Sequence, residues 1–175
     1  MMDVAVICER PWRKSEGWDA LAIEAVGAAL SATPFAALND VDLAIEVAIK
    51  LSNDDEVQAL NRDYRGKDKS TNILSFPQTP PDLLESIAAS VTGPAAGDDG
   101  EAILGDMILA WQVCVKEAEE KGISLSTHVT HLIVHGTLHL LGYDHIGEEE
   151  ATNMEALETQ ILAGLGIADP YGDRD

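Results

Sequence analysis

Cysteine is almost missing from this chain, whose 175 residues hold only Cys8 and Cys114. Both lie in apolar stretches, which excludes a disulfide framework or a thiolate metal knuckle and predicts two buried thiols. Basic residues are also scarce, 11 against 31 acidic ones, for a formal charge of −20. A negative surface repels phosphate, so broad affinity for nucleic acid is excluded. No apolar run approaches the roughly 20 residues that a membrane-spanning helix needs. The first residues, MMDVAVICERPWRK, put their bases after a short apolar run, the reverse of a signal peptide, so a soluble cytoplasmic protein is expected. What remains is ordinary: 46% hydrophobic and 24% charged residues suffice for a packed core, and residues 1–175 are expected to form a single domain.

Charge is unevenly placed. Residues 62–69 hold Arg62, Arg65, Lys67 and Lys69 against Asp63 and Asp68, a net of +2, whereas residues 148–175 hold eight acids and one base, a net of −7. Any polyanion is directed to the basic segment. Residues 77–101 contain four prolines, three glycines and five acids without a base, and read as an acidic flexible loop or lid with at most a helical turn or two at DLLESIAASV. Residues 166–175 read as an acidic tail.

Periodicity predicts strands at 3–8, 42–51, 71–76 and 102–110 and helices at 17–32, 56–65, 111–122, 127–141 and 148–165. Asn53 and Asp54 are candidate caps, Gly66, Gly122, Gly142 and Gly166 candidate stops, and Gly105 a bulge or a close backbone approach. The pattern implies an α+β fold with a single mixed β-sheet of about four strands packed with five or so helices.

All five histidines fall between 128 and 145, and three form His135-x3-His139-x5-His145. Helix positions four apart differ by about 40° and rise about 6 Å, so His135 and His139 share a face. Gly142 permits a turn that returns His145, giving three nitrogens for a zinc ion with an open fourth position. His ligands also suit nickel, copper and iron. His128 is read as ordinary, His131 as a competing ligand or a bystander, and Asp144 as a partner of His145 or a turn residue. The zinc-protease pattern HExxH has a glutamate after its first histidine; here that position is Gly136, which argues against peptide hydrolysis by that route.

HGTLHLLGYDH at 135–145 resembles the signature of the YbeY family of bacterial endoribonucleases and rRNA maturation factors. LNRDYRGKDKSTNILSFP at 60–77 is similar to that family's second motif, and Leu104-Gly105-Asp106 to its LGD element. The resemblance implies a zincin-like fold, one Zn2+ on His135, His139 and His145, and cleavage of single-stranded RNA in 16S rRNA 3′-end maturation and ribosome quality control. It places the family's important arginine on Arg65, whose guanidinium fork suits phosphate oxygens. Arg65, His135, His139 and His145 are the expected catalytic residues, and Arg62, Arg65, Lys67 and Lys69 the expected RNA contacts. Thr71, Asn72 and Ser75 are expected on a strand bordering the cleft. A chain this acidic needs an assisting ribosomal protein or the ribosomal particle to reach its target, and neither DNA nor a membrane is an expected partner. Two alternatives stand beside this reading: a ribosome-assembly factor that binds RNA around a mainly structural zinc, and a metallohydrolase of other substrates.

Overall fold

The computed structural model describes residues 2–41, 44–89, 101–144 and 146–171. In chain order it holds β1 (Met2–Cys8), α1 (Trp18–Ser31), β2 (Ala44–Ser52), α2 (Asp54–Arg65), β3 (Ile73–Pro77), α3 (Pro81–Ala89), β4 (Glu101–Ala110), α4 (Trp111–Lys121), α5 (Leu125–Leu140) and α6 (Glu148–Gly164), with short 3-10 turns before and after α1. The sheet has four strands in the order β1-β2-β4-β3. β1, β2 and β4 run parallel, and β3 pairs antiparallel with β4 along one edge. This is an α+β architecture with a mixed sheet and six α-helices among the described residues. No described helix is long and apolar enough to cross a membrane.

Strand alternation sorts the sheet into two faces. Ile45, Val47, Ile49 and Leu51 of β2, with Met107 and Leu109 of β4, pack against α1 and α5 in the main core. Leu74 of β3 and Ile108 of β4 point the other way, onto Val57 of α2. One irregularity keeps these faces in phase. Glu46 pairs with Ile103 but Val47 pairs with Gly105, so Leu104 is an extra residue, a bulge in β4. Gly105 there is also a close approach, because a Cβ would lie 2.5 Å from the Phe76 carbonyl oxygen and 2.6 Å from Leu140 Cδ2.

The helix ends explain the boundaries. The Asn53 side chain accepts from the Glu56 N–H at 2.9 Å, and Ser124 accepts from the Thr127 N–H at 3.1 Å, which starts α5 two residues earlier than periodicity alone predicts. Residues 81–89, inside the segment expected to hold a turn or two, form the nine-residue α3 with Leu84 and Ile87 buried. Residues 90–100 lie outside the described residues. Of the two thiols, Cys114 is buried as expected, but Cys8 is only partly buried, because β1 is an edge strand.

Candidate functional site

A cleft of about 740 Å³ lies between the C-terminal end of α2, the β3 edge and the C-terminal half of α5. Gly66, in a left-handed conformation with φ +69, stops α2 directly after Arg65. The loop that follows is tied down by Asn61, a buried side chain whose amide donates to the Lys69 carbonyl at 2.8 Å. Arg65, Lys67 and Lys69 therefore line one wall, all three exposed. Ser75 continues the lining on β3, whereas Thr71 and Asn72, expected on the same strand, line the cleft from the segment just before it. Arg62, expected with them, sits 3.1 Å from Asp63 and is not among the described residues that line the cleft.

His135 and His139 form the opposite wall. Their Nε2 atoms face each other at 3.0 Å. Each ring is held by its other nitrogen: Nδ1 of His139 donates to the Tyr143 carbonyl at 3.0 Å, and Nδ1 of His135 donates to Glu158. With both Nδ1 protons committed, both Nε2 lone pairs converge on one point. Two nitrogens bound to one tetrahedral zinc lie about 3.3 Å apart, so the donor set fits a shared cation. His145 lies outside the described residues, and among the described residues no group of three or more His, Cys, Asp or Glu side chains forms a metal cluster.

Two glycines make this wall. Gly142, at φ +100, lets its own N–H reach the His139 carbonyl and the Tyr143 N–H reach that of Leu138, both at 3.0 Å. That closure turns the chain so that the Tyr143 carbonyl meets His139. Gly136 faces the sheet, where a Cβ would lie 2.5 Å from Met107 Sδ and 3.0 Å from both Ile73 Cδ1 and Ser75 Oγ. The position that carries a glutamate in HExxH proteins is here the contact that lets α5 lie against β3 and β4.

Glu158 of α6 is fully buried behind His135. Its second oxygen accepts from the Tyr171 hydroxyl and lies 3.5 Å from His131 Nε2, which is itself 3.2 Å from the Tyr171 oxygen. Burial opposes ionisation of the Glu158 carboxyl, but the bonds from His131, His135 and Tyr171 outweigh it and hold it at about 2. His131 thus belongs to this network rather than to the cleft. His128 is buried too, with Nε2 2.9 Å from Glu117, which also accepts from Asn72 at 3.0 Å. Sequence reasoning missed Glu158, Tyr171 and Asn61. Glu158 had a signal: it falls in phase with Met154, Ile161 and Leu162 on the apolar stripe of α6, where a carboxylate is out of place unless it is paired.

A family model described as Endoribonuclease YbeY matches residues 16–166. The Endoribonuclease YbeY of Sphingopyxis alaskensis is 55% identical over 175 residues, covering all of both chains. That of Rhizorhabdus wittichii is 57% identical over 171 residues, covering 98% of this chain and 97% of its own. The solution structure of TM1509 from Thermotoga maritima, at 20% identity, superposes with a TM-score of 0.53 over 98% of this chain and 100% of its own, a likeness of fold. The match to the family model, with relatives of this identity over the full length, makes the chain a member of the YbeY endoribonuclease family.

Proposed function

We propose that this protein is a zinc-dependent endoribonuclease that cuts single-stranded RNA in 16S rRNA 3′-end maturation and ribosome quality control, in the cytoplasm. One observation carries the reading: Arg65, Lys67 and Lys69 share a cleft with two histidines whose Nε2 atoms converge at 3.0 Å. The names of the relatives supply the reaction class. His135 and His139 are the proposed zinc ligands, with His145 as the third, next to the cleft-lining Asp144 and Ile146. On this reading the fold is zincin-like.

Zinc with an open position lowers the pKa of bound water to about 7 and polarises a phosphoryl oxygen. The protein's own groups position the substrate. Arg65 offers two parallel N–H donors to the scissile phosphate and balances the charge that builds on its oxygens. Lys67 and Lys69 hold neighbouring phosphates as point charges, with Arg62 at the outer margin. The carboxylate-rich remainder of the surface repels RNA elsewhere, so binding rests on this cleft and on a ribosomal partner that presents the strand. With Gly136 pressed on Met107, no side chain at that position can serve as a base.

The test is cleavage of single-stranded rRNA fragments by zinc-loaded protein beside His139→Ala and Arg65→Ala, with product ends identified. The expected result is cutting by the native protein and loss of at least about 100-fold in both variants while they stay folded. Equal cutting by all three would assign the activity to a contaminant and overturn the proposal.

A further inference from the structure

We propose that Glu158, clamped by Tyr171 and His131, is a positioning residue for the site: it fixes the ring of His135 with the proton on Nδ1 and the lone pair of Nε2 aimed into the cleft. The inference rests on reading His135 as a metal ligand. Its observations are independent of the motif at 135–145, because Glu158 lies on α6 and Tyr171 beyond its end.

The geometry is specific. The Glu158 side chain has no exposed surface, and the His135 side chain retains about a quarter of its own, on the side toward the cleft. Glu158 meets only donors: Nδ1–H of His135 on one oxygen, the Tyr171 hydroxyl on the other, with His131 Nε2 at 3.5 Å. His131 in turn donates to the Tyr171 oxygen at 3.2 Å, so the phenol is oriented to give its own proton to the carboxylate. A buried carboxylate is costly unless its oxygens find donors, and here His135 of α5 and Tyr171 of the segment after α6 supply them, with His131 of α5 beside both Tyr171 and Glu158. A carboxylate on the far nitrogen of a metal-binding histidine sets its tautomer and raises its basicity. His139 is held differently, by the Tyr143 carbonyl at 3.0 Å, and so provides an internal control. A glutamine in place of Glu158 has one acceptor and one donor group, and cannot accept from all the groups that now face it.

The experiment uses the full chain, as wild type, Glu158→Gln and Tyr171→Phe. Proton–nitrogen correlation spectra of the metal-free protein report which ring nitrogen of each histidine carries the proton, and competition with a chromophoric chelator reports zinc affinity. In Glu158→Gln we expect His135 to lose its fixed Nδ1–H tautomer while His139 keeps its own, and zinc affinity to fall about 10–100-fold. Tyr171→Phe removes one hydroxyl from a partly exposed ring and is expected to give a smaller change of the same kind. If Glu158→Gln does not fold, Tyr171→Phe carries the test. Wild-type tautomer and affinity in whichever folded variant is measured overturns the proposal, as does a shift of both histidines together. If the wild type takes up no zinc, the metal reading fails, and the tautomer result still decides the role of Glu158.

Discussion

Replacing Gly136 by alanine sets two known effects against each other at one atom. In a helix interior the change gains about 1 kcal/mol from propensity. The new methyl would lie 2.5 Å from Met107 Sδ and 3.0 Å from Ile73 Cδ1 and Ser75 Oγ. Ordinary carbon contacts begin near ~3.5 Å, so Met107, only 1% exposed and packed on all sides, must give by about 1 Å. Overpacking of that kind costs about 1–3 kcal/mol. The net expectation is a loss of about 1 kcal/mol, or a fall of about 2–4 °C in Tm for a chain of this length. Equilibrium urea unfolding followed by circular dichroism measures it. A double-mutant cycle with Met107→Ala should show coupling of about 0.5–3 kcal/mol, since the cavity left by methionine accepts the methyl. A Gly136→Ala protein more stable than wild type by the full propensity gain would refute the account of why α5 lies so close to the sheet. Gly136→Glu, which restores the HExxH pattern, should be far worse, because a carboxylate would enter the same contact unpaired.

Other predictions concern the cleft and its supports. Hydrogen bonds from His128 and Asn72, working against burial, hold the Glu117 carboxyl below its ordinary 4.5. Its stabilising contribution is therefore full above that value and lost as pH falls through the lower, folded-state pKa, so the stability gap between wild type and Glu117→Gln should shrink on acidification below about 4.5. A gap independent of pH would contradict this. Removing Lys67 and Lys69 together should reduce the slope of log binding constant against log salt for single-stranded RNA by about 1.4, and an unchanged slope would take these lysines off the phosphate path. Gly142→Ala places a methyl 2.7 Å from Pro81 Cγ at φ +100, so unfolding should show a loss of at least about 1–2 kcal/mol, with weaker zinc uptake as Tyr143 leaves His139. Zinc should raise the Tm of the wild type and not that of His139→Ala, which differential scanning would show.

Much of the fold was readable because its signals are local. Gly66, Gly122, Gly142 and Gly166 all adopt positive φ at helix ends, and the four strands begin and end within two residues of the expected bounds. The convergence of His135 and His139 follows from a spacing of four on one helix. What was not readable depends on partners distant in sequence. That Arg65 enters the cleft while Arg62 stays outside it on its neighbour Asp63 is decided by the rotation of α2 on the sheet. α3 was underread because its prolines and acids mask two buried side chains, Leu84 and Ile87. His128 looks ordinary in sequence, yet its partner Glu117 lies on another helix and makes it a fully buried half of a pair. Tyr171 reaches Glu158 only because the chain after α6 folds back, and no periodicity encodes that.

The extra residue in β4 acts on the sheet much as an inserted base acts on a reading frame. Upstream of Leu104 the even-numbered side chains face α5; downstream Met107 and Leu109 do, and Asp106 faces away. Deleting Leu104 would restore a regular ladder and leave Gly105, Met107 and Leu109 opposite Val47, Ile49 and Leu51, whereas deleting a residue after the bulge would exchange every side chain beyond the deletion. Single-residue deletions between Gly105 and the end of the strand should therefore be far more damaging than deletion of Leu104, while paired deletions that conserve parity should be less severe. The contact that seats the histidine helix thus depends on a count of residues in a strand that carries none of the cleft's charge.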